Sequence, residues 1–406
     1  MKKPVIGFAG MTHLGLNSAA AAAARGFKVV GYHPGRRPTI VEPGLDEALR
    51  KHAKRLQFTA SLEALSRCDL VYMATDVPTD DTGKSDLAPI RDLIAATQKV
   101  LGRKALLVIL CQVPPGFTRS LDFAPGRLYY QVETLVFGRA LDRALNPERF
   151  IVGCADPAKR LPTSFKTFLE AFRCPILPMR YESAELAKIA INCYLVSSIS
   201  VANTLAELCE GIGADWSEIV PALKLDKRIG QHSYLAPGLG IAGGNLERDL
   251  ATVIRFSEEK GTDASVVKAW VSNSRHRRDW AARTIQRVLL GTNPRATLAV
   301  WGLAYKENTH STKNSPSLAT IAQLGDATLR LHDPVVTMEP TFESPLEAAR
   351  GADALMILTP WPQYREIACA AIAKAMRGRI VLDPYAVLDP AKAKKAGLQV
   401  HTLGRA

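Results

Sequence analysis

Residues 5–15 read VIGFAGMTHLG, an apolar strand that runs into a glycine-rich turn and then into the start of a helix. This is the place of the dinucleotide fingerprint G-x-G-x-x-G, whose first and third glycines are present as Gly10 and Gly15. Thr12 stands at the second glycine, where its Cβ is expected to push a pyrophosphate outward while its hydroxyl and His13 offer hydrogen bonds in exchange. The start of the helix still supplies free N–H groups and a positive dipole end. The turn therefore predicts a dinucleotide site formed by Gly10, Thr12, His13 and Gly15.

The following strands supply further cofactor candidates. The strand KVVGYH ends in His33, where an acid would bind the ribose hydroxyls, and Arg36 and Arg37 follow it. Loss of the acid together with two arginines is what a 2′-phosphate favours, whereas arginines of a solvated loop leave the choice open. We therefore expect NAD or NADP and do not decide between them. Thr75, at the end of the strand DLVYMAT, is a further candidate.

Strand-like and helix-like segments alternate on both sides of a helical middle. Up to about residue 180, strands such as DLVYMAT and ALLVILC alternate with helices, which is the pattern of a parallel sheet covered on both faces. The stretch from Glu182 to Gly211 is apolar at helical spacing, which predicts one helix of about 45 Å. Strand–helix alternation returns after about residue 290. We expect an α/β protein with two doubly wound Rossmann-like domains, residues 1–180 and 291–406, joined by a helical central domain, residues 181–290, with one long helix.

Composition and charge narrow the classes of function. The chain has 406 residues, 47% of them apolar, and a net charge of +13, which suits small anionic ligands and comes without a nucleic-acid-binding motif. No apolar run reaches the roughly 18 residues of a membrane span, and we read no signal peptide at the start. The seven cysteines are scattered, without a C-x-x-C pair or zinc-ligand spacing. We expect a cytoplasmic protein without membrane, nucleic-acid or metal binding.

Seven segments, in the same order along nearly the whole chain, resemble motifs of the UDP-glucose/GDP-mannose dehydrogenase family. The segments are TDVPTDDTGKSDLAPI, CQVPPGFTR, VETLVFGRALDRALNPERFIVG, AELAKIAINCYL, LDKRIGQHSYLAPGLGIAGGNLERD, GLAYKENTHSTKNSPS and ADALMILTPWPQYREI. In the family they read T-P-T with D-L; S-T-V-P-P-G-T-T; P-E-F-L-x-E-G-x-A with N-P-x-R-x-x-x-G; A-E-x-x-K-x-x-x-N; D-x-R-I-G with P-G-x-G-x-G-G-S-C-x-x-K-D; G-x-x-F-K-x-x-T-x-D-x-R-x-S-P; and A-D-A-x-x-x-x-T-x-W-x-x-F. No single motif is decisive, and the shared order is what identifies the fold.

The resemblance implies an activity and a role for each domain. Members of the family oxidise C6 of a nucleotide-linked hexose from alcohol to carboxylate, with two NAD in succession and a cysteine thioester between the two steps. The N-terminal domain would hold the dinucleotide and the C-terminal domain the nucleotide sugar. The long helix of the central domain would build a homodimer. The pathway that the resemblance suggests is the supply of cell-surface or capsular polysaccharide.

Part of the family's machinery is retained. Lys188 matches the lysine that stabilises developing oxygen charge. Asn192, one helical turn further on, and Asp249 match the pair that positions a water or acts as base. Glu133 matches a glutamate that is a candidate general base. For each of these residues the ordinary alternative is a satisfied ion pair or cap.

Other matches concern the substrate. Arg228 matches an arginine that reaches the substrate across the subunit boundary, and Lys306 matches a lysine near the diphosphate. The full set of implied substrate-binding residues is Arg228, Tyr234, Gly238, Gly243, Lys306 and Lys313.

The position of the family's catalytic cysteine is occupied by Asn245. Further departures are Val77, Gln112, Phe137, Ser311, Lys313 and Tyr385, and with Thr12 and His33 they cluster at the reacting centre and the cofactor site. An amide is a poor nucleophile and forms no thioester, so the second oxidation as the family performs it is expected to fail. One hydride transfer needs only a proton acceptor, which Lys188 with Asp249 can supply. We expect Cys111 to be a buried structural thiol rather than a substitute nucleophile.

Three functions remain open at this point. The first, which we favour, is a nucleotide-sugar oxidoreductase with a modified reaction that avoids the thioester. The second is a catalytically silent nucleotide-sugar-binding protein of dehydrogenase fold, and the third is a redox-neutral enzyme that retains its cofactor. The sugar, the base and the extent of oxidation cannot be read from the sequence.

Overall fold

The computed structural model describes residues 3–35, 42–80 and 83–405. The chain divides into two units, Met1–Ile191 and Asn192–Ala406, and the division falls inside the long helix. The predicted α/β architecture with two Rossmann-like sheets is confirmed, because each unit contains one sheet made mainly of parallel strands. The domain boundaries at residues 180 and 290 stay a prediction.

The first unit is built on an eight-stranded sheet in the order β3-β2-β1-β4-β5-β6-β7-β8. Neighbouring strands are parallel except β6 and β7, which are antiparallel. The first six strands follow the order of dinucleotide-binding folds, in which ligands bind where the order reverses, here between β1 and β4. The strands are β1 Val5–Ala9, β2 Lys28–Tyr32, β3 Leu56–Thr59, β4 Leu70–Met73, β5 Leu106–Ile109, β6 Leu128–Gln131, β7 Phe150–Cys154 and β8 Ile176–Arg180.

Helices cover both faces of this sheet. Alternate residues of a strand point to opposite faces, so Tyr72 of β4 lies in one apolar cluster and Met73 in the other. Ala19, Ala20 and Ala22 of the first helix are fully buried, and their small side chains allow this helix to lie close to the sheet. The helices are α1 His13–Ala24, α2 Leu45–Lys51, α3 Ala88–Val100, α4 Ala140–Leu145 and α5 Thr163–Glu170.

The long helix is present as predicted and is labelled α6, Tyr181–Ile212. In the described part of the chain it is the one helix long and apolar enough to cross a membrane, and 39% of its most apolar window is buried inside the protein. The core helices of soluble proteins share this composition. Four further helices and a π-helical turn, Gln286–Leu290, complete the middle of the chain: α7 Trp216–Leu225, α8 Asn245–Lys260, α9 Ser265–Arg278 and α10 Trp280–Ile285.

The sheet of the second unit has five parallel strands in the order β10-β9-β11-β12-β13. The order reverses between β9 and β11, so a crevice for ligands is expected beyond the carboxyl ends of these two strands. The strands are β9 Thr297–Trp301, β10 Thr328–His332, β11 Ala354–Ile357, β12 Ile380–Leu382 and β13 Gln399–His401. The helices are α11 Pro316–Ile321, α12 Pro345–Ala349, α13 Pro362–Arg365, α14 Cys369–Ala375 and α15 Pro390–Lys395.

Candidate active site

The predicted dinucleotide turn connects β1 to α1, and close contacts fix its two glycines. Gly10 has a φ of +100°, and a Cβ on it would lie 2.9 Å from the Cβ of Thr75. A Cβ on Gly15 would lie 2.0 Å from the carbonyl oxygen of Gly10. The turn, α1 and the end of β4 therefore approach one another as closely as the fingerprint requires, and Thr75 lies beside the turn.

Thr12 lies at the N-cap of α1. No side chain among the described residues caps this helix end, and the Thr12 hydroxyl instead donates to the carbonyl oxygen of Ala74 at 3.4 Å. The first N–H groups of α1 are therefore left for an anion, as a pyrophosphate would need. These residues fit a dinucleotide, with the extra Cβ of Thr12 as the departure.

His13 is tied to a residue that the sequence analysis missed. Its Nε2 lies 2.9 Å from Oε2 of Glu42, and Glu42 also accepts hydrogen bonds from the N–H groups of Gly138 and Ala140 at 3.1 and 2.8 Å. The imidazole also contacts the ring of Phe137, with 4.2 Å between ring centroids. His13 is thus held at the turn by a buried carboxylate, so its Nε2 is occupied within the protein. A single acid in a loop gave no motif that would have revealed Glu42.

The second strand places His33 at the same edge of the sheet as the turn, since β1 and β2 are parallel neighbours. Nδ1 of His33 accepts a hydrogen bond from the N–H of Gly35 at 3.2 Å. Arg36 and Arg37 lie outside the described residues. Their part in a choice of NADP over NAD stays a prediction.

Glu133 follows β6 and is a half-buried acid. Burial raises the pKa of its carboxyl, while the Thr134 N–H, which donates to it at 2.6 Å, and the charges of Lys188 and Arg143 lower it. Two predicted site residues of the first unit, Glu133 and Lys188, are therefore electrostatically coupled. A raised pKa makes the carboxylate a stronger proton acceptor than an ordinary glutamate, which suits a general base.

A second missed residue, Glu185, lies one turn before Lys188 on α6. It is fully buried and accepts hydrogen bonds from the N–H groups of Gly116 and Thr118 at 2.6 and 2.8 Å. Its carboxylate holds the loop that contains Gln112, the departure from the family's S-T-V-P motif. The glutamate of A-E-x-x-K was the available signal, because it belongs to the same motif as Lys188.

In the second unit, Asn192 and Asp249 meet as the resemblance implied. Nδ2 of Asn192 donates to Oδ2 of Asp249 at 2.5 Å, and Nε of Arg248 lies 3.4 Å from Oδ1. Asp249 is buried, with 1% of its surface exposed. A buried carboxylate with an amide on one oxygen and a guanidinium on the other is fixed in place, as a positioning acid must be.

Asn245 is the first residue of α8 and is exposed. The two glycines before it have positive φ angles of +87° and +88°, and a Cβ on Gly243 would lie 2.6 Å from the ring of Tyr305. Gly243 also donates its N–H to the carbonyl oxygen of Lys313 at 3.2 Å, and Nζ of Lys306 lies 5.8 Å from the centroid of Tyr305. Two predicted substrate-binding residues, Gly243 and Lys306, thus lie at one aromatic ring beside the start of α8, and the third, Lys313, is bound to Gly243 through its carbonyl oxygen.

The remaining substrate-binding candidates lie on the loop before α8 or at the surface. Gly238 donates its N–H to Oδ1 of Asn203 on α6 at 2.8 Å. Tyr234 is 50% exposed. The Arg228 side chain is 89% exposed and forms a two-point ion pair with Asp226 at 2.6 and 3.0 Å. Their proposed roles are therefore not supported by contacts with the residues around Tyr305.

The described residues offer neither a metal site nor a reactive thiol. Within residues 3–35, 42–80 and 83–405, no group of three or more His, Cys, Asp or Glu side chains is arranged to hold a metal ion. Cys111 is buried, and burial raises the pKa of its thiol to about 12, so at neutral pH it is not a thiolate. Cys193, beside Asn192, has a thiol pKa raised to about 11 by burial and by Asp249.

Sequence comparison matches three profiles of one family to successive parts of the chain. Profiles of the UDP-glucose/GDP-mannose dehydrogenase family match residues 4–170 (NAD binding domain), 182–275 (central domain) and 299–390 (UDP binding domain). UDP-glucose 6-dehydrogenase from Pseudomonas aeruginosa is 29% identical over 399 residues, which cover 90% of this chain and 88% of the relative. UDP-glucose 6-dehydrogenase TuaD from Bacillus subtilis is 27% identical over 390 residues, which cover 90% and 84%.

Solved structures agree in fold. A UDP-glucose dehydrogenase from the archaeon Pyrobaculum islandicum matches with a TM-score of 0.85 and 28% identity, and the match covers 100% of this chain and 98% of the archaeal chain. A UDP-D-ManNAc dehydrogenase from Pyrococcus horikoshii matches with a TM-score of 0.85 and 24% identity and covers 99% of both chains.

Proposed function

Because the chain belongs to the UDP-glucose/GDP-mannose dehydrogenase family, we propose that it oxidises the hexose alcohol of a nucleotide sugar, of the UDP-hexose type, and passes the hydride to NAD or NADP. The cofactor is supported by the matching NAD binding domain and by the fit of the turn at Gly10 and Gly15. A bound nicotinamide ring supplies the hydride acceptor. All other chemistry would be done by side chains of this chain.

The observation that supports this proposal best is the buried contact between Asn192 and Asp249. A protein that only bound a nucleotide sugar would have no need of an acid held by two partners in its interior, because a buried carboxylate is costly. Lys188 would stabilise the oxygen charge that develops as the hydride leaves, and Asp249 or Glu133 would accept the hydroxyl proton. Lys306 and Lys313, beside Gly243, would bind the diphosphate.

We infer that the reaction proceeds without a covalent intermediate. Asn245 provides no thiol at the start of α8, and the thiols of Cys111 and Cys193 have raised pKa values. One hydride transfer would yield an aldehyde. A hydrated aldehyde can release a second hydride without a thioester, so the acid is the other product that the experiment below distinguishes.

The catalytically silent alternative rests on a different observation. At the dinucleotide turn, His13 is bound to Glu42 and lies against Phe137, an arrangement that the resemblance did not imply. Should this arrangement prevent cofactor binding, the chain would act as a nucleotide-sugar-binding protein. The redox-neutral alternative has no observation of its own in its favour.

We also propose that the chain forms a homodimer through α6. Large apolar side chains of this helix are exposed along one face at spacings of three, four, seven and eight residues: Leu186, Tyr194, Val201, Leu205, Leu208 and Ile212. Such a stripe on a soluble protein marks an interaction surface. A second copy of the same helix is the partner that the family's central domain would offer.

A cytoplasmic location is proposed on the ground that all seven cysteines are free.

The experiment that tests the function follows reduced cofactor by its near-ultraviolet absorbance. The full chain would be mixed with UDP-, GDP- and dTDP-hexoses and with NAD or NADP, and the product would be trapped and counted against the reduced cofactor. One equivalent per sugar would identify the aldehyde and two would identify the acid. If no sugar yields reduced cofactor, the dehydrogenase proposal fails, and dinucleotide binding then separates the silent alternative from the redox-neutral one.

A further inference from the structure

A cavity lies in the second unit, beside the edge strand β13. Its volume is about 420 Å³, which is in the range of small-molecule sites. Its wall includes the π-helical turn at Arg287, helix α15 at Lys394 and the end of β13 at His401. Among the described residues that line this cavity, none is a candidate active-site residue.

The cavity has an excess of positive charge. The side chains of Arg287, Lys394 and His401 have no hydrogen bond or ion pair with any residue in the described ranges of the chain. The one acid among the described residues of the wall, Glu210, is already bound to Nη2 of Arg277 at 3.0 Å and accepts further hydrogen bonds from Trp280 and Gly404. Two cations, Arg287 and Lys394, that face one cavity without a counter-ion create a positive potential that attracts an anion, and the His401 imidazole beside them can bind it or take up a proton with it.

Much of the remaining wall is apolar, with Thr284 and Thr402 as polar members. Leu388 and Leu398 are nearly buried and line the cavity together with Val400. A wall of this kind offers a surface for a flat, weakly polar ring, whereas the cations suit phosphate oxygens. A cavity with both an apolar wall and unpaired cations can select a ligand that has a ring and a phosphate group, whereas a charged surface patch would attract any anion.

The backbone around the cavity departs from regular geometry at two places. Arg287 lies on a π-helical turn, a form that is rare and frequent at functional sites. Ala386, which also lines the cavity, has a φ of +50°, a left-handed conformation that residues with a Cβ rarely adopt. These departures place the Arg287 side chain and the loop after β12 at the cavity.

This cavity is separate from the candidate substrate residues of the same unit. The loop after β12 has Tyr385 on one side, where its ring lies 3.7 Å from a Cβ placed on Gly238. Ala386, the next residue, faces the cavity. Adjacent residues of one loop thus border two different sites.

We propose that the cavity at β13 binds a nucleotide mono- or diphosphate, with the phosphate groups on Arg287, Lys394 and His401 and the base against Leu388, Leu398 and Val400. The proposal goes beyond the hydride-transfer function and does not depend on it. Arg405 also lines the cavity, and its Nε is paired with Oδ2 of Asp215 at 3.0 Å.

The test follows His401 by NMR in the full chain with ¹³C-labelled histidines, of which there are eight. His401→Gln assigns the resonance. Burial and the charge of Arg287 lower the pKa of His401, so a bound phosphate dianion is expected to raise it. The probes are UMP, UDP, inorganic phosphate and, at matched ionic strength, sodium chloride.

We expect UMP and UDP to raise the pKa of His401. They should bind at least about fivefold more tightly than inorganic phosphate, because only a nucleotide has a base that contacts the apolar wall. Arg287→Ala and Lys394→Ala should each weaken binding by about tenfold. Lys395→Ala, the adjacent exposed lysine that does not line the cavity, is the matched control and should leave binding unchanged.

Three results would overturn the proposal: no change at His401 with millimolar UMP or UDP, an equal change with sodium chloride, or equal losses in the Lys394 and Lys395 variants. Equal affinity for inorganic phosphate and UMP would overturn the assignment of the apolar wall to a base. Because the readout is a resonance in the cavity, these results are independent of whether any nucleotide sugar reduces the cofactor.

Discussion

Two glycine-rich segments, the turn from Gly10 to Gly15 and the loop that ends at Asn245, have kept their backbone and changed their side chains. In the turn, a Cβ on Gly15 would lie 2.0 Å from a carbonyl oxygen, and in the loop a Cβ on Gly243 would lie 2.6 Å from the ring of Tyr305. Both glycines are thus required by contact. The changed residues differ, because Thr12 is hydrogen-bonded into the fold whereas Asn245 is exposed at the start of a helix.

The difference shows what each kind of residue indicates. A glycine at a close approach is needed for the fold, so it is retained as long as the fold is retained. A polar residue at a site determines the chemistry. Thr12 alters how closely a cofactor approaches, which is a matter of affinity, while Asn245 removes the one functional group that a thioester requires. We expect substitutions to separate these roles by the size and the kind of their effects.

The largest effect is expected for the glycine of the turn. Gly15→Ala places a methyl group 2.0 Å from the Gly10 carbonyl oxygen, so the turn and α1 must move apart. We expect a loss of at least about 3 kcal/mol in the free energy of unfolding, measured by urea denaturation. Gly126→Ala is the control, because a Cβ there meets no atom within 4 Å, and its stability should stay within about 0.5 kcal/mol of the original. Equal stability of the two variants would contradict the steric argument.

The next effect concerns the acid that the second segment has kept. Asp249→Asn retains the shape of the side chain but removes the charge that faces Arg248 and Asn192. We expect the rate of cofactor reduction to fall by about 10² to 10⁴, the usual value of a general acid–base group. Glu259→Gln, an exposed acid on the same helix, should change the rate by less than about twofold. A rate loss that only follows a fall in stability would assign Asp249 a structural role.

A third variant restores the missing thiol. Asn245→Cys places a cysteine at the first position of α8, where the helix dipole lowers the thiol pKa. We expect it to react with iodoacetamide at least about tenfold faster than Cys68, Cys111 or Cys193, whose thiol pKa values are raised to about 12, 12 and 11.

If the original chain stops at the aldehyde, Asn245→Cys should raise the yield from one to two equivalents of reduced cofactor per sugar. Asn245→Ser, which has no thiol, is the control and should remain at one. A yield of one for both variants would show that the loss of the second step has a cause other than Asn245.

The sequence was sufficient where a single local rule applied. Glycine spacing predicted the turn, the 3.6-residue period predicted α6, and the resemblance to the family implied the pairing of Asn192 with Asp249. It gave no signal for Glu42 and only a motif position for Glu185, because each accepts hydrogen bonds from backbone N–H groups of loops that are 96 and 69 residues away along the chain. The cations of the β13 cavity likewise come from segments that have no common sequence pattern.

The smallest effect is expected at Thr12. Thr12→Gly removes the Cβ at the second glycine of the fingerprint, so the backbone can approach the pyrophosphate more closely, and the cost of glycine at an N-cap is only a few tenths of a kcal/mol. We expect the affinity for reduced dinucleotide, measured by fluorescence titration, to rise by about three- to tenfold. Thr12→Ser keeps both the Cβ and the hydroxyl and should bind as the original chain does. Should Thr12→Ser gain as much as Thr12→Gly, the γ-methyl group and not the Cβ would limit the approach. Should neither variant gain affinity, the contact between His13 and Glu42 would be the feature that sets cofactor affinity. The turn would then resemble the loop at Asn245, because in both segments the backbone is kept and a polar side chain changes the function.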